Sequence, residues 1–241
     1  GRFFEKLGLK VGILAQPKWD SAEHFKVLGR PRLFIGISSG TVDSMINNYT
    51  ANKRPRSDDM YSEGGKGGNR PDYASAVYSK LAREAFPETP IVVGGVEPSL
   101  RRLAHYDYWQ NKIRPSILMD IECEFLAFGM GERVARLLAE HFQKIADLTQ
   151  KPISLKDEET QKALEVIKQQ RGVAYLTSKE AGKTIQPRLM LPSFEEVRDD
   201  KKKFARASYF IEYEASPYNG RRLVQYHGGR AVVINSPALP L

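Results

Sequence analysis

The chain has 241 residues, 41% of them hydrophobic, and carries 37 Lys and Arg against 29 Asp and Glu, a formal net charge of +8. That length builds a sizeable core in one domain, or in one domain with a smaller companion. The single cysteine, Cys123, excludes an internal disulfide and any all-cysteine metal site made from this chain alone, and no apolar run is long enough to span a bilayer. With no secretory leader in Gly1-Arg-Phe-Phe-Glu-Lys-Leu-Gly8, these features point to a cytoplasmic protein without a membrane partner. The basic balance admits a polyanion such as RNA as a partner.

In chain order, Arg2 to Leu7 reads as the tail of an amphipathic helix closed by Gly8, and Val11 to Gln16 as a buried strand. A helix feeding a parallel strand normally follows an earlier strand in a βαβ unit, so the reading places one further strand ahead of Gly1. Ser21 to Leu28 reads as a short helix with Ser21 as its cap, Leu33 to Ser38 as a strand, and Val42 to Tyr49 as a helix with Asp43 at its positive end. Lys53 to Pro71 is expected to be a mobile, basic, glycine-containing loop, too long for a plain connection, and its Gly64-Gly-Lys-Gly-Gly68 patch lacks the spacing of a P-loop. Asp72 to Ala85 is a helix capped by Asp72, followed by a strand at Ile91 to Val93. A strand at Phe125 to Phe128 leads into a helix from Glu132 to Ile145. Beyond residue 150 come a polar helix (157 to 170), strands at 173 to 176 and 188 to 191, one long charged helix from 194 to 213 capped by Pro192-Ser193, and a β-rich end from Ala231. These divide the chain into an α/β domain, 1–148, and a smaller α+β segment, 149–241.

Three of the strands end in small residues and then start a helix. That is the pattern of a parallel sheet whose ligand crevice lies at the C-terminal strand ends. At Ser38-Ser39-Gly40, amides and hydroxyls suit a phosphate or an amide, or form a capped turn. At Gly94-Gly95 two missing side chains let a flat ligand or a backbone approach, with Glu97 beyond them. At Gly129-Met-Gly131-Glu132 a turn suits a ribose or phosphate, or Glu132 is a plain first-turn acid. The stretch from Arg101 and Arg102 through His105 and Asp107 to Trp109 mixes guanidiniums, an imidazole, a carboxylate and aromatics, a set able to bind an anion and stack a ring. His105 and Asp107 share a face only on a strand. The four histidines are dispersed without metal-ligand spacing, no Gly-x-Ser-x-Gly elbow is present, and the acids around Cys123 oppose a reactive thiolate. No residue set therefore reads as catalytic or metal-binding.

Gly36-Ile-Ser38, Gly94-Gly95 and Gly129-Met-Gly-Glu132, in that order, resemble the cobalamin-binding-like domain at the front of many radical SAM enzymes. More narrowly, Val11-Gly-Ile-Leu-Ala-Gln-Pro17, Asp43-Ser-Met-Ile-Asn-Asn-Tyr-Thr50, Ser99-Leu-Arg-Arg-Leu-Ala-His-Tyr-Asp-Tyr-Trp109 and Leu191-Pro-Ser-Phe-Glu-Glu196 resemble the YgiQ family of radical SAM proteins. The resemblance implies a flavodoxin-like α/β domain, here lacking its first strand, ahead of a radical SAM barrel. In that barrel a Cys-x-x-x-Cys-x-x-Cys motif holds a [4Fe–4S] cluster that binds S-adenosylmethionine. This sequence does not contain the motif, so the implied role is accessory. The domain would face its own barrel and hold a substrate or a cobalamin-like ligand at Ser38, Ser39, Gly40, Gly94, Gly95, Glu97, Gly129 and Glu132. Arg101, Arg102, His105, Asp107 and Trp109 would meet the substrate or the barrel. No segment supplies the Asp-x-His-x-x-Gly signature of an axial histidine. A basic RNA-binding module, using Lys53 to Arg70 and Lys201 to Lys203, is the rival.

Overall fold

A computed structural model describes residues 1–239. Short apolar runs bounded by turn residues become its strands, and runs of 3.6-residue periodicity its helices. The elements in order are α1 (Arg2–Lys6), a 3₁₀ turn at Ala22–Phe25 capped by the Ser21 hydroxyl, β1 (Ile35–Ile37), α2 (Ser44–Asn48), α3 (Ala74–Ala85), β2 (Ile91–Gly94), α4 (Val96–Leu100), β3 (His105–Asp107), β4 (Lys112–Arg114), β5 (Phe125–Ala127), α5 (Glu132–Thr149), α6 (Glu158–Lys168), β6 (Val173–Ser178), α7 (Lys179–Thr184), β7 (Leu189–Met190), α8 (Phe194–Asp199), α9 (Lys201–Tyr213), β8 (Leu223–His227) and β9 (Arg230–Ile234).

Seven strands form one sheet in the order β1-β2-β5-β6-β9-β8-β7, while β3 and β4 make a separate hairpin. β1, β2 and β5 run parallel, with Ile37 opposite Val93 and Gly94 opposite Ala127. β6 then pairs antiparallel with β5, Leu126 opposite Ala174, and the sheet continues antiparallel through β9 and β8. The architecture is α/β with a mixed sheet. Residue 148 lies inside α5, and strands from both sides of it share the same sheet.

Strand alternation sends Ile91 and Val93 to one face and Val92 to the other. On the first face they meet Ala74, Tyr78 and Ala82 of α3. On the second, Val92 and Phe125 meet Val134, Leu138 and Phe142 of α5 and Leu164 and Ile167 of α6. Helices on both faces are what a sheet of consecutive apolar residues requires, since neither side tolerates water.

Four readings change. Val11 to Gln16 pairs with no strand, and Ile13 is 75% exposed. The segment has strand composition but lies outside the sheet, with Gly12 against the Leu28 side chain. The charged helix is two helices, because Asp200 adopts an extended conformation and its carboxylate accepts the Lys202 and Lys203 amides, starting α9 afresh. The cap of α3 is Tyr73 in the left-handed region, not Asp72, whose carboxylate instead takes Asn48 and the Tyr49 hydroxyl. The basic loop is anchored: buried Asp59 accepts the Ser62 hydroxyl and the Tyr61 amide and pairs with buried Arg70 at 3.3 Å.

Candidate functional site

The ends of β1, β2 and β5 lie side by side, so the three small-residue loops meet at one edge of the parallel strands. What fills that edge is mostly protein. Ser38 Oγ accepts the Gly40 amide at 3.1 Å, and the Ser39 carbonyl accepts Arg70 Nη1 at 3.0 Å. Gly95 has φ of +92°, and a Cβ there would lie 2.6 Å from Ser38 Oγ; one on Gly94 would lie 3.2 Å from the Ala127 carbonyl. The glycine pair thus lets two strand-end loops close on each other. Gly129, with φ of +68°, has nothing within 4 Å of an added Cβ, and Glu132 is exposed in the first turn of α5. The open part of the edge is at β5.

Glu97 is fully buried and faces inward. Its Oε2 accepts the Ser44 amide at 2.9 Å and the Ser44 hydroxyl, its Oε1 accepts the Ser75 amide at 2.9 Å, and Arg101 Nη1 lies 3.5 Å away. One carboxylate therefore satisfies the opening amides of both α2 and α3, donors that a helix cannot satisfy internally. Asp43 caps α2 through the Met45 amide and pairs with Arg101 Nη1 at 2.7 Å. Burial pushes the Asp43 carboxyl up from its ordinary value, against the lowering pull of the Arg101 guanidinium.

Arg101 and Arg102 diverge. Arg101 is committed to Asp43 and Glu97, while Arg102 donates to the Ser99 carbonyl and lies 4.9 Å from the centre of the Phe128 ring, where burial lowers its guanidinium from the ordinary value. His105 and Asp107 are on a strand after all, β3. Asp107 accepts the Tyr73 hydroxyl at 2.8 Å and the Gln110 amide at 2.9 Å. Burial raises the Asp107 carboxyl, but these donors and the Arg101 and Arg114 guanidiniums outweigh it and leave it below the usual range. Burial and Asp107 together push Tyr73 up to about 12. His105 Nδ1 sits 3.0 Å from the Leu103 carbonyl, its Nε2 is buried without a partner, and burial pushes the imidazole down.

Arg101, His105, Asp107 and Trp109 line one groove of about 510 Å³ with Asp43. Arg102 does not, nor does Glu97. The groove also takes Ile46, Tyr49, Arg56, Leu100, Tyr106 and Tyr108. Of these Tyr49 escaped the sequence reading as a site residue, and Arg56 entered it only within the Lys53 to Arg70 stretch of the RNA-binding reading. Their signal was an aromatic next to a basic loop, which without the fold has no obvious partner.

The chain's full length decides its family. The model of the radical SAM N-terminal family matches residues 1–241. The chain belongs to that family. UPF0313 proteins are its relatives: that of Rhodopseudomonas palustris is 43% identical over 256 residues, covering 100% of this chain and 36% of its own length. Those of Vibrio cholerae and Clostridium botulinum are each 42% identical, over 277 and 241 residues, again covering all of this chain and 35% of themselves. The chain spans about a third of the length of these curated relatives. No solved structure matches it.

Proposed function

We propose that this radical SAM N-terminal chain is an accessory domain that positions substrate for a radical SAM core elsewhere in the polypeptide. The family match over residues 1–241 carries the reading. The arrangement of the strand ends supports it: Ile46, Val96, Leu100 and Met130 leave apolar surface exposed in the loops and helices that follow the parallel strands, and Ile46 and Leu100 also line the groove. Surface of that kind suits a partner domain or a ligand. The flavodoxin-like assignment belongs to this proposal, resting on the three parallel strands and their flanking helices.

A [4Fe–4S] cluster and S-adenosylmethionine belong to the proposed core. The residues of this chain do not fit the cluster, because its one thiol, Cys123, is half-buried and pushed far up by desolvation and by the neighbouring Glu124, and no group of three or more His, Cys, Asp and Glu able to hold a metal occurs among the described residues. They do not fit a corrinoid either. His105, the histidine that lines the groove, has one ring nitrogen on a carbonyl and the other buried without a partner, and the Gly94-Gly95 edge is filled by the Ser38 loop. The work left to this chain is binding. Asp43, Glu97 and Arg101 hold α2, α3 and α4 in register, and the β3–β4 hairpin closes one wall of the groove. The test is anaerobic reconstitution of the full-length protein with iron and sulfide, assayed for 5′-deoxyadenosine from S-adenosylmethionine. Cleavage is expected; its absence from a protein lacking any cluster signal would overturn the reading.

A further inference from the structure

We infer that the groove between α2, the segment around Arg56 and the β3–β4 hairpin is a nucleotide site, taking a heteroaromatic base with its phosphate. This rests on the reading of the domain as the substrate-positioning part and names the substrate class.

Three observations carry it. First, the walls are rings. Tyr49, Tyr106, Tyr108 and Trp109 line a groove of about 510 Å³, within the range of small-molecule sites. The tyrosine hydroxyls are already spent: Tyr49 donates to Asp72 at 2.8 Å, Tyr106 to Asn111 at 2.6 Å and Tyr108 to the Ala51 carbonyl at 2.6 Å. The rings are left as apolar surface, and Tyr49, Trp109 and Tyr108 form a continuous cluster with centroid spacings of 5.4 and 5.3 Å. Such surfaces stack bases of any sequence.

Second, the acids in the groove are neutralised from within. Asp43 is on Arg101 and the amides of α2, and Asp107 is on Tyr73 and Gln110. Neither is left over to attract a cation. Third, the rim is basic. Arg56 donates through Nε to the carbonyls of Ile46 and Tyr49, which fixes its position and leaves its terminal nitrogens without a carboxylate among the described residues. Lys53 Nζ sits 4.7 Å from the centre of the Tyr108 ring and 3.2 Å from the Trp109 carbonyl, and Arg54 is exposed between these two residues in sequence. A flat apolar wall with unspent guanidinium at its edge matches a ring carrying an anion. The same chemistry is offered by a free nucleotide and by a nucleotide within a single RNA strand.

The test uses the full-length protein without S-adenosylmethionine, titrated calorimetrically with AMP, GMP, CMP and UMP, with the matching nucleosides, and with a single-stranded octaribonucleotide. Saturable nucleotide binding is expected, with nucleosides about tenfold or more weaker. Trp109→Ala should weaken binding ten- to hundredfold and Trp109→Phe should retain it, which separates a lost ring from a lost fold. Arg56→Ala should bring nucleotide affinity down to the nucleoside level and leave nucleoside affinity unchanged. Lys144→Ala, exposed on α5 and in no ion pair among the described residues, should change nothing. An octamer that binds far tighter than the monomers, with the same sensitivity to Trp109 and Arg56, identifies the source as RNA; equal affinity identifies free nucleotide. No saturable binding of any probe, or binding indifferent to both substitutions, overturns the inference. If 5′-deoxyadenosine still forms in that case, the accessory-domain reading stands and only the substrate class fails. Nucleotide binding in a protein that forms none counts against the accessory-domain reading instead.

Discussion

Replacing Glu97 by alanine tests whether this residue is a structural hub or a ligand-facing acid. The substitution strips acceptors from the Ser44 amide, the Ser44 hydroxyl and the Ser75 amide, and leaves Arg101 facing Asp43 alone. Each buried donor left without a partner costs about 1–3 kcal/mol, and removing one member of a buried charge cluster costs about 3–5 kcal/mol. These overlap, because the same atoms are counted in both. The expected loss is therefore about 3–5 kcal/mol, which in a chain of this size lowers Tm by roughly 6–20 °C. Glu97→Gln keeps the volume but turns an acceptor oxygen into an NH2 facing donors, and should cost about 2–3 kcal/mol. Thermal unfolding followed by circular dichroism reads both. A Glu97→Ala protein that melts within about 2 °C of the parent and has lost only ligand affinity would refute the hub and restore Glu97 to the crevice.

Other outcomes follow from the same geometry. His227 is 3% exposed, stacks on Phe194 at 5.6 Å and has both ring nitrogens unpartnered, and burial pushes it down to about 4. Its unfolded value is near 6.5, so the unfolded state binds the extra proton between these limits. Its contribution is complete above pH ~6.5 and is lost as the pH falls towards 4, by about 3 kcal/mol in all; His227→Phe should melt with a flatter dependence between pH 7 and 5. Gly95→Ala places a Cβ 2.6 Å from Ser38 Oγ at a φ of +92° and should cost about 1–3 kcal/mol in urea unfolding, with Ser38→Ala recovering only the steric part. Ser193→Ala removes one side of the capping box with Glu196 and should cost about 1 kcal/mol. Phe142→Ala empties a fully buried position between α5 and the sheet and should cost about 3–5 kcal/mol.

Much of the parallel part was readable. Ile91 to Val93 and Phe125 to Ala127 are apolar on both faces and bounded by turn residues, so their period and their place in the core agree. The amphipathic pattern of α5 located it, although the helix runs on to Thr149. Val11 to Gln16 misled because composition alone marks a strand, while pairing depends on where the sheet edge falls. The hairpin of β8 and β9 was missed in its first half. Gly228-Gly229 between the two strands is a turn signal, but Gln225 sits at the centre of β8 and reads as solvent-facing. In the fold it is fully buried because its amide accepts from the Ala104 amide at 2.8 Å and donates to the Pro192 carbonyl at 3.0 Å. The groove was half legible. Arg101 to Trp109 was singled out by its density of chemistry, but which side chains converge depends on Asp43 and Glu97 drawing Arg101 in while Arg102 turns to Phe128.

The proposed role has this chain serving radical chemistry at a cluster held elsewhere in the polypeptide. Its most direct test compares the full-length protein with its Cys123→Ala variant after anaerobic reconstitution, by cluster absorbance, EPR and 5′-deoxyadenosine formed from S-adenosylmethionine. A cluster and cleavage are expected in both, at equal levels. Cluster loss in the variant with its fold intact, or no cleavage in either protein, would contradict it.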